Sequence, residues 1–265
     1  LILLIFSFLG NLISIVLLDR TIHYRDTIRF VERIFPNKGL HLVRTHLIKQ
    51  VDGPPLISLV GGSLIRYWLL PPDFPFLIAN WGAIEENCQA TLDRFDRTVV
   101  DTGAELVLIN AGYCNLVTAV RTGEFGPHVL TSNLRCLEEM VETAQAQQVI
   151  PILSTLTPVR PRFLFPHLKI GDYSWAHKAA ENRAINQYNL MIQDLSREKN
   201  IPLIDFHAAL SDTDGELIRR YAISDGEHLN PEGYQHLTRF LKKELTRIIS
   251  LLRPEINAHL NSDTE

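Results

Sequence analysis

The chain predicts an α/β domain built on a parallel sheet covered by helices on both faces. Two patterns carry that prediction. From residue 55 onward, five short apolar runs recur: LISLV (56–60), FLIAN (76–80), ELVLIN (105–110), VIPILS (149–154) and IPLIDF (201–206). Longer helix-like segments separate them at 84–100, 132–148 and 182–199, and a last one spans 231–252. Strands that alternate with helices imply crossover connections, and hence a parallel sheet with both faces covered. In such sheets, sites collect at the carboxyl ends of the strands. A length of 265 residues suits one large α/β domain or two small ones, and 46% hydrophobic with 21% charged residues is ordinary for a globular protein.

The elements before residue 55 are of another kind. Residues 1–18, LILLIFSFLGNLISIVLL, carry no charge and approach the length of a membrane-spanning helix. No small-residue cleavage signal follows, so the expectation is an uncleaved anchor, with a signal peptide or a buried helix as alternatives. Arg20, Arg25, Arg29 and Arg33 follow the run, but the opposite flank needed to set sidedness is not visible. Residues 19–54 read as a juxtamembrane linker helix with Ile22, Ile28, Val31, Ile34 and Phe35 on a partial apolar stripe. A cell-envelope, membrane-anchored location follows as an expectation. The polar tail, 253–265, reads as frayed.

The first run leads directly to chemistry. Residues 56–68 read LISLVGGSLIRYW: the strand stops at Gly61-Gly62, Ser63 follows, and a short helix-like segment covers 64–70. A glycine turn before a helix N-cap serine explains this locally. It becomes a nucleophile only if the chain supplies a base. The second run ends ANWGAIEEN, which puts Gly82 at a strand end, where its bare backbone N–H can approach a substrate oxygen. The third ends INAGYCNL, which puts Asn115 after Gly112 as a second donor. Between 158 and 176 a long stretch, PVRPRFLFPHLKIGDYSWA, reads as a loop, either a substrate lid or a packed surface loop. Near the C-terminus, Asp225 and His228 stand three apart in YAISDGEHLNPEGYQHL, just before the last helix. Such a turn can aim a base and its orienting carboxylate at one place.

Serine after the first strand, glycine after the second, asparagine after the third and Asp-x-x-His before the last helix occur in the order of the SGNH/GDSL hydrolase family, which the chain resembles over roughly residues 55–250. DGEHLNPEGY is the most specific stretch, and LIDFHAALSDTDGEL and NWG are also similar. The resemblance implies a flavodoxin-like three-layer fold over 55–252 with a five-stranded sheet. It implies Ser63 as nucleophile, His228 as base, Asp225 as its support, and an oxyanion hole from Ser63, Gly82 and Asn115. Two departures stand out. The usual Gly-Asp-Ser is Gly61-Gly62-Ser63 here, and the usual Gly-x-Asn-Asp is Gly112-Tyr113-Cys114-Asn115. Strict alignment puts Cys114 at the oxyanion position, so Cys114 is the alternative to Asn115.

The expected activity is ester hydrolysis through an acyl-enzyme on Ser63, on a carbohydrate acyl ester or a lipid ester. An O-acyltransferase using the same residues, or a retired glycan- or partner-binding scaffold, are the alternatives. A net charge of -4 gives no basic field for nucleic acid. Cys88, Cys114 and Cys136 form neither a zinc spacing nor a disulfide framework, and no metal or organic cofactor is expected. The oligomeric state is not legible.

Overall fold

The computed structural model describes residues 55–161, 163–165, 170–171 and 173–252. The anchor, linker and tail expectations at 1–18, 19–54 and 253–265 lie outside them. Among the described residues, no helix is long and apolar enough to cross a membrane.

The five apolar runs all form strands: β1 (Leu56–Gly61), β2 (Leu77–Gly82), β3 (Leu106–Asn110), β4 (Ile150–Ser154) and, after a hairpin, β7 (Leu203–Ile204). They pair in parallel in the order β2-β1-β3-β4-β7. The chain starts in the middle of the sheet, adds β2 on one side, then returns to build outward on the other. The strand order therefore reverses between β1 and β3, and their carboxyl ends open a crevice there.

Alternation along the strands separates two cores. Ile57, Leu59, Leu106, Leu108 and Ile152 face one side and pack under the last helix, α7 (Pro231–Leu252), through Leu237, Leu241, Leu245 and Ile248. Leu56, Val60, Val107, Ile109 and Leu153 face the other. There they meet α4 (Pro127–Ala146) through Leu137, Met140 and Val141, and α5 (Tyr173–Glu198) through Ile185, Tyr188 and Ile192. The sheet is the middle of three layers, as the side-chain period of two requires.

Several boundaries correct the sequence reading. The segment 64–70 is helical only as α1 (Ser63–Arg66), because Pro71 and Pro72 follow closely. The segment 84–100 is interrupted: Glu85 has a positive φ of 57°, and Asn87 caps α2 (Cys88–Asp93) by accepting from the Ala90 N–H at 2.8 Å. A π-helical turn, Asp96–Val100, completes it. Helix α3 (Tyr113–Thr122) follows β3, and α4 begins at Pro127, five residues before the expected start.

The expected loop 158–176 is not a plain loop. It holds a short antiparallel pair, β5 (Phe163–Phe165) and β6 (Ile170–Gly171), and α5 already begins at Tyr173. The apolar stripe of α5 starts at Ile185, while Lys178, Glu181 and Asn182 continue the same buried side with polar groups. A hydrophobic period cannot register a helix whose buried end is charged. A short helix, α6 (Phe206–Leu210), capped by Asp205, links β7 to the C-terminal segment.

Candidate active site

Ser63 is the first residue of α1, directly beyond the end of β1 at the crevice. The turn that places it depends on Gly61. Its φ is +154°, and a Cβ there would lie 2.3 Å from the Asn110 carbonyl oxygen on β3. Only glycine lets the two central strand ends stand this close. Gly62 is different: a Cβ would meet nothing nearer than 3.9 Å. The Gly-Gly pair is thus one required glycine and one permissive position.

Helix α1 has only four residues and is held by its neighbours. Asn80 donates to the carbonyls of Ile65 and Trp68 at 2.7 and 3.1 Å. Trp68 donates to Thr238 Oγ1 on α7 at 2.9 Å.

On the other side of the crevice, Asp225 and His228 lie in a tight turn. Asp225 Oδ1 accepts the backbone N–H groups of Glu227 and His228 at 2.8 and 2.9 Å. Its Oδ2 lies 2.6 Å from His228 Nδ1, and His228 Nε2 lies 3.0 Å from Ser63 Oγ. The edge of the Tyr67 ring packs on the imidazole, with centroids 5.8 Å apart. Burial alone pushes the Asp225 carboxyl up. The hydrogen bond and charge of His228, its backbone N–H and the Lys178 ammonium outweigh that and hold it below the usual aspartate value. The three side chains form one hydrogen-bonded line across 165 residues of chain. This geometry can remove the hydroxyl proton from Ser63 and hold it on an imidazole whose orientation a carboxylate fixes.

The remaining site residues of the sequence reading fall elsewhere. The Gly82 N–H donates to Asn80 Oδ1 at 2.9 Å. A Cβ at Gly82 would lie 2.1 Å from the Arg66 nitrogen, so this glycine lets α1 sit against the end of β2. Asn115 Oδ1 accepts the Cys88 N–H at 2.8 Å and fastens the start of α2. Neither residue lines the crevice, whereas Cys114 does. Burial, with Glu85 and Glu86 nearby, pushes the Cys114 thiol up, which keeps it protonated at neutral pH.

The crevice encloses about 540 Å³ counting its open mouth, over Ser63, Asn110, Gly112, Cys114, Thr157 and His228. Two of its lining residues, Glu86 and Glu227, are carboxylates the sequence reading did not single out. Both are paired. Arg94 contacts Glu86 through Nε at 2.6 Å and Nη2 at 2.5 Å, and Arg121 and Lys178 both reach Glu227. Glu227 stands inside the DGEH stretch, but its partners lie far away in sequence. Among the described residues, no cluster of His, Cys, Asp and Glu could hold a metal ion.

The family model of the GDSL-like lipase/acylhydrolase family matches residues 76–236, more than half of the chain, beginning downstream of Ser63. Solved structures share the fold. A GDSL-like lipase from Bacteroides thetaiotaomicron matches with a TM-score of 0.61 and 22% identity, covering 76% of this chain and 93% of that one. A lipase/acylhydrolase from Enterococcus faecalis gives a TM-score of 0.53 and 17% identity over 72% of this chain and 95% of that one. A variant of an acetyl-xylooligosaccharide esterase from a Geobacillus species gives 0.55 and 16%, over 74% and 96%. Among curated proteins, none matches.

Proposed function

Because the chain belongs to the GDSL-like lipase/acylhydrolase family and is a hydrolase acting on ester bonds, we propose that it works as a serine esterase with Ser63 as nucleophile, His228 as general base and Asp225 as the group that orients it. The observation that carries this reading is the continuous line Asp225 Oδ2, His228 Nδ1, His228 Nε2, Ser63 Oγ, with contacts of 2.6 and 3.0 Å. Ser63 Oγ attacks the ester carbonyl while His228 Nε2 takes its proton. The tetrahedral intermediate collapses, and His228 returns that proton to the departing alcohol, leaving an acyl group on Ser63. Water then attacks this acyl-enzyme with His228 again as base, and the acid leaves.

The Ser63 N–H, one of the unpaired donors at a helix start, serves as one oxyanion donor. Gly82 and Asn115 act through their contacts to Asn80 and Cys88, which shape the two strand-end turns. Cys114 occupies the crevice wall where the family pattern carries asparagine.

The substrate class we propose is a short acyl ester on a polyhydroxylated alcohol such as a carbohydrate. The crevice wall sets Leu64, Leu156 and Tyr234 beside Thr157 and the two paired glutamates, a small apolar place for an acyl group next to polar groups for the alcohol.

The test is hydrolysis of p-nitrophenyl acetate, butyrate and octanoate by the full chain, beside Ser63→Ala and His228→Ala. The expected result is turnover of acetate fastest, with both variants slower by about 10³-fold or more. Variants that match the native chain would end the nucleophile assignment. Preference for octanoate would end the short-acyl one.

A further inference from the structure

We propose that Lys178 is a positioning residue for the Asp225–His228 turn, and that with Arg121 it clamps Glu227 so that its charge sets an alkaline boundary for ester hydrolysis. This rests on the reading of Ser63 and His228 as nucleophile and base.

Four charged side chains from three places meet behind the turn. Glu227 Oε1 accepts from both Lys178 Nζ on α5 and Arg121 Nη2 on α3. Glu181, one turn beyond Lys178, binds Arg121 Nε at 2.8 Å and lies 3.1 Å from Lys178 Nζ. Lys178 is 4% exposed and Glu181 1%. Buried ion pairs add little net stability, because desolvation offsets most of their attraction. What the arrangement does supply is a fixed position for Glu227.

Glu227 is the pivot between this cluster and the reacting atoms. Its side chain is held by the two cations and lines the crevice. Its backbone N–H donates to Asp225 Oδ1 at 2.8 Å, and Asp225 Oδ2 holds His228. Helix α5 braces the same turn by a second route. Asn182 exchanges two hydrogen bonds with the Val159 backbone, at 2.8 and 2.6 Å, and the Arg160 N–H donates to the Gly226 carbonyl at 2.8 Å. A Cβ at Gly226 would lie 2.2 Å from the Arg160 carbonyl oxygen, so that contact leaves no room for a side chain. With Lys178 neutral, Glu227 keeps one cation, and the turn that carries Asp225 and His228 loses one of the two groups that fix it.

The groups facing Lys178 are Arg121 from α3, Glu181 from its own helix, and Glu227 and Asp225 from the turn. Burial pushes the lysine down to about 8, helped by Arg121 and opposed by Glu181 and Asp225. Burial pushes the Tyr113 hydroxyl well up, and the Tyr67 hydroxyl and Cys114 thiol up as well. None of these three loses its proton as early as the lysine.

The experiment is kcat/KM for p-nitrophenyl acetate from about pH 6 to about pH 9.5, with Ser63→Ala as blank. The full chain is compared with Lys178→Arg and Lys178→Met. The rate at which a fluorophosphonate labels Ser63 is followed at the same pH values. The native chain is expected to lose activity and labelling with a midpoint near 8. Lys178→Arg, charged throughout, is expected to hold both beyond about pH 9. Lys178→Met is expected to be about tenfold or more slower at neutral pH with a cooperative melt retained. Identical alkaline limbs in the native chain and Lys178→Arg would overturn the proposal, and that comparison stands even if the Met variant fails to fold. A Met variant as fast as the native chain at pH 7 would also overturn it. A native chain no faster than Ser63→Ala removes the esterase reading beneath it instead.

Discussion

The Tyr234 hydroxyl, on the first turn of α7, donates to the Leu64 carbonyl at 3.1 Å. This bond ties the helix that follows His228 to the short helix that begins with Ser63. Burial pushes the phenol well above its ordinary value, so the hydroxyl stays a donor at any working pH. The two halves of the proposed site come from chain segments far apart in sequence, and this contact joins them beside the Trp68–Thr238 bond.

Tyr234→Phe keeps the ring's packing against Trp68, whose centroid lies 6.4 Å away, and removes only the hydroxyl. The expected loss is about 1 kcal/mol of stability, the usual net value of one hydrogen bond. Because α1 loses a tether on the Ser63 side, kcat is expected to fall several-fold more than KM rises. Denaturant melts and steady-state kinetics on the same variant check both. Native kcat with lowered stability would show that Asn80 and Trp68 hold α1 unaided.

The two glycines before Ser63 are expected to separate cleanly. Gly61→Ala must either move the Asn110 carbonyl, 2.3 Å from the new Cβ, or leave a φ of +154° that alanine rarely adopts. A destabilisation of about 2–4 kcal/mol, with loss of activity, is expected. Gly62→Ala meets nothing closer than 3.9 Å and is expected to melt within about 0.5 kcal/mol of the native chain. Thermal melts of the two variants side by side decide it, and equal losses would refute the distinction.

These contrasts show what the sequence could reveal. Ser63 is legible because a strand must end at a glycine turn to present it. Asp225 and His228 are legible because the DGEHLNPEGY stretch resembles the family's last block, a reading the three-residue spacing alone would not carry. The sheet is legible because five apolar runs of strand length alternate with helices. Glu227 is not, since its meaning comes from Lys178 and Arg121, 49 and 106 residues away. The true start of α5 is hidden for the same reason: its buried end is an ion-pair cluster, and hydrophobic periodicity cannot see it. Gly82 ends β2 and Asn115 lies on the first turn of α3, but which way an N–H or a carboxamide points depends on Asn80 and Cys88.

That orientation gives a test of the crevice wall. Asn115 Oδ1 accepts from the Cys88 N–H, a role a carboxylate also fills. Asn115→Asp is therefore expected to keep kcat within about threefold, and Asn115→Ala to lose about 1 kcal/mol of stability, the typical value of such a cap. Cys114→Asn puts an amide donor on the wall beside Ser63. Removing one oxyanion donor costs about 10²–10³-fold in other enzymes, so a gain of about tenfold or more in kcat is expected. An Asp variant as impaired as a lost oxyanion donor would return that role to Asn115.

Asp225 sets the acid side of stability. Burial raises its carboxyl, but His228, its backbone N–H and Lys178 hold the folded-state value below the ordinary 3.8. For a depressed carboxylate, the unfolded chain takes up the proton first as pH falls. Its stabilisation is therefore fully present above about pH 4 and lost as pH drops through the folded-state value. Asp225→Asn lacks that titration. The stability advantage of the native chain over Asp225→Asn is expected to shrink steadily below about pH 4. Urea melts of both proteins across that range measure it. A gap that widened on acidification would mean that burial, not the His228 contact, dominates at Asp225, and the orienting carboxylate would then be protonated more readily than its hydrogen bonds imply.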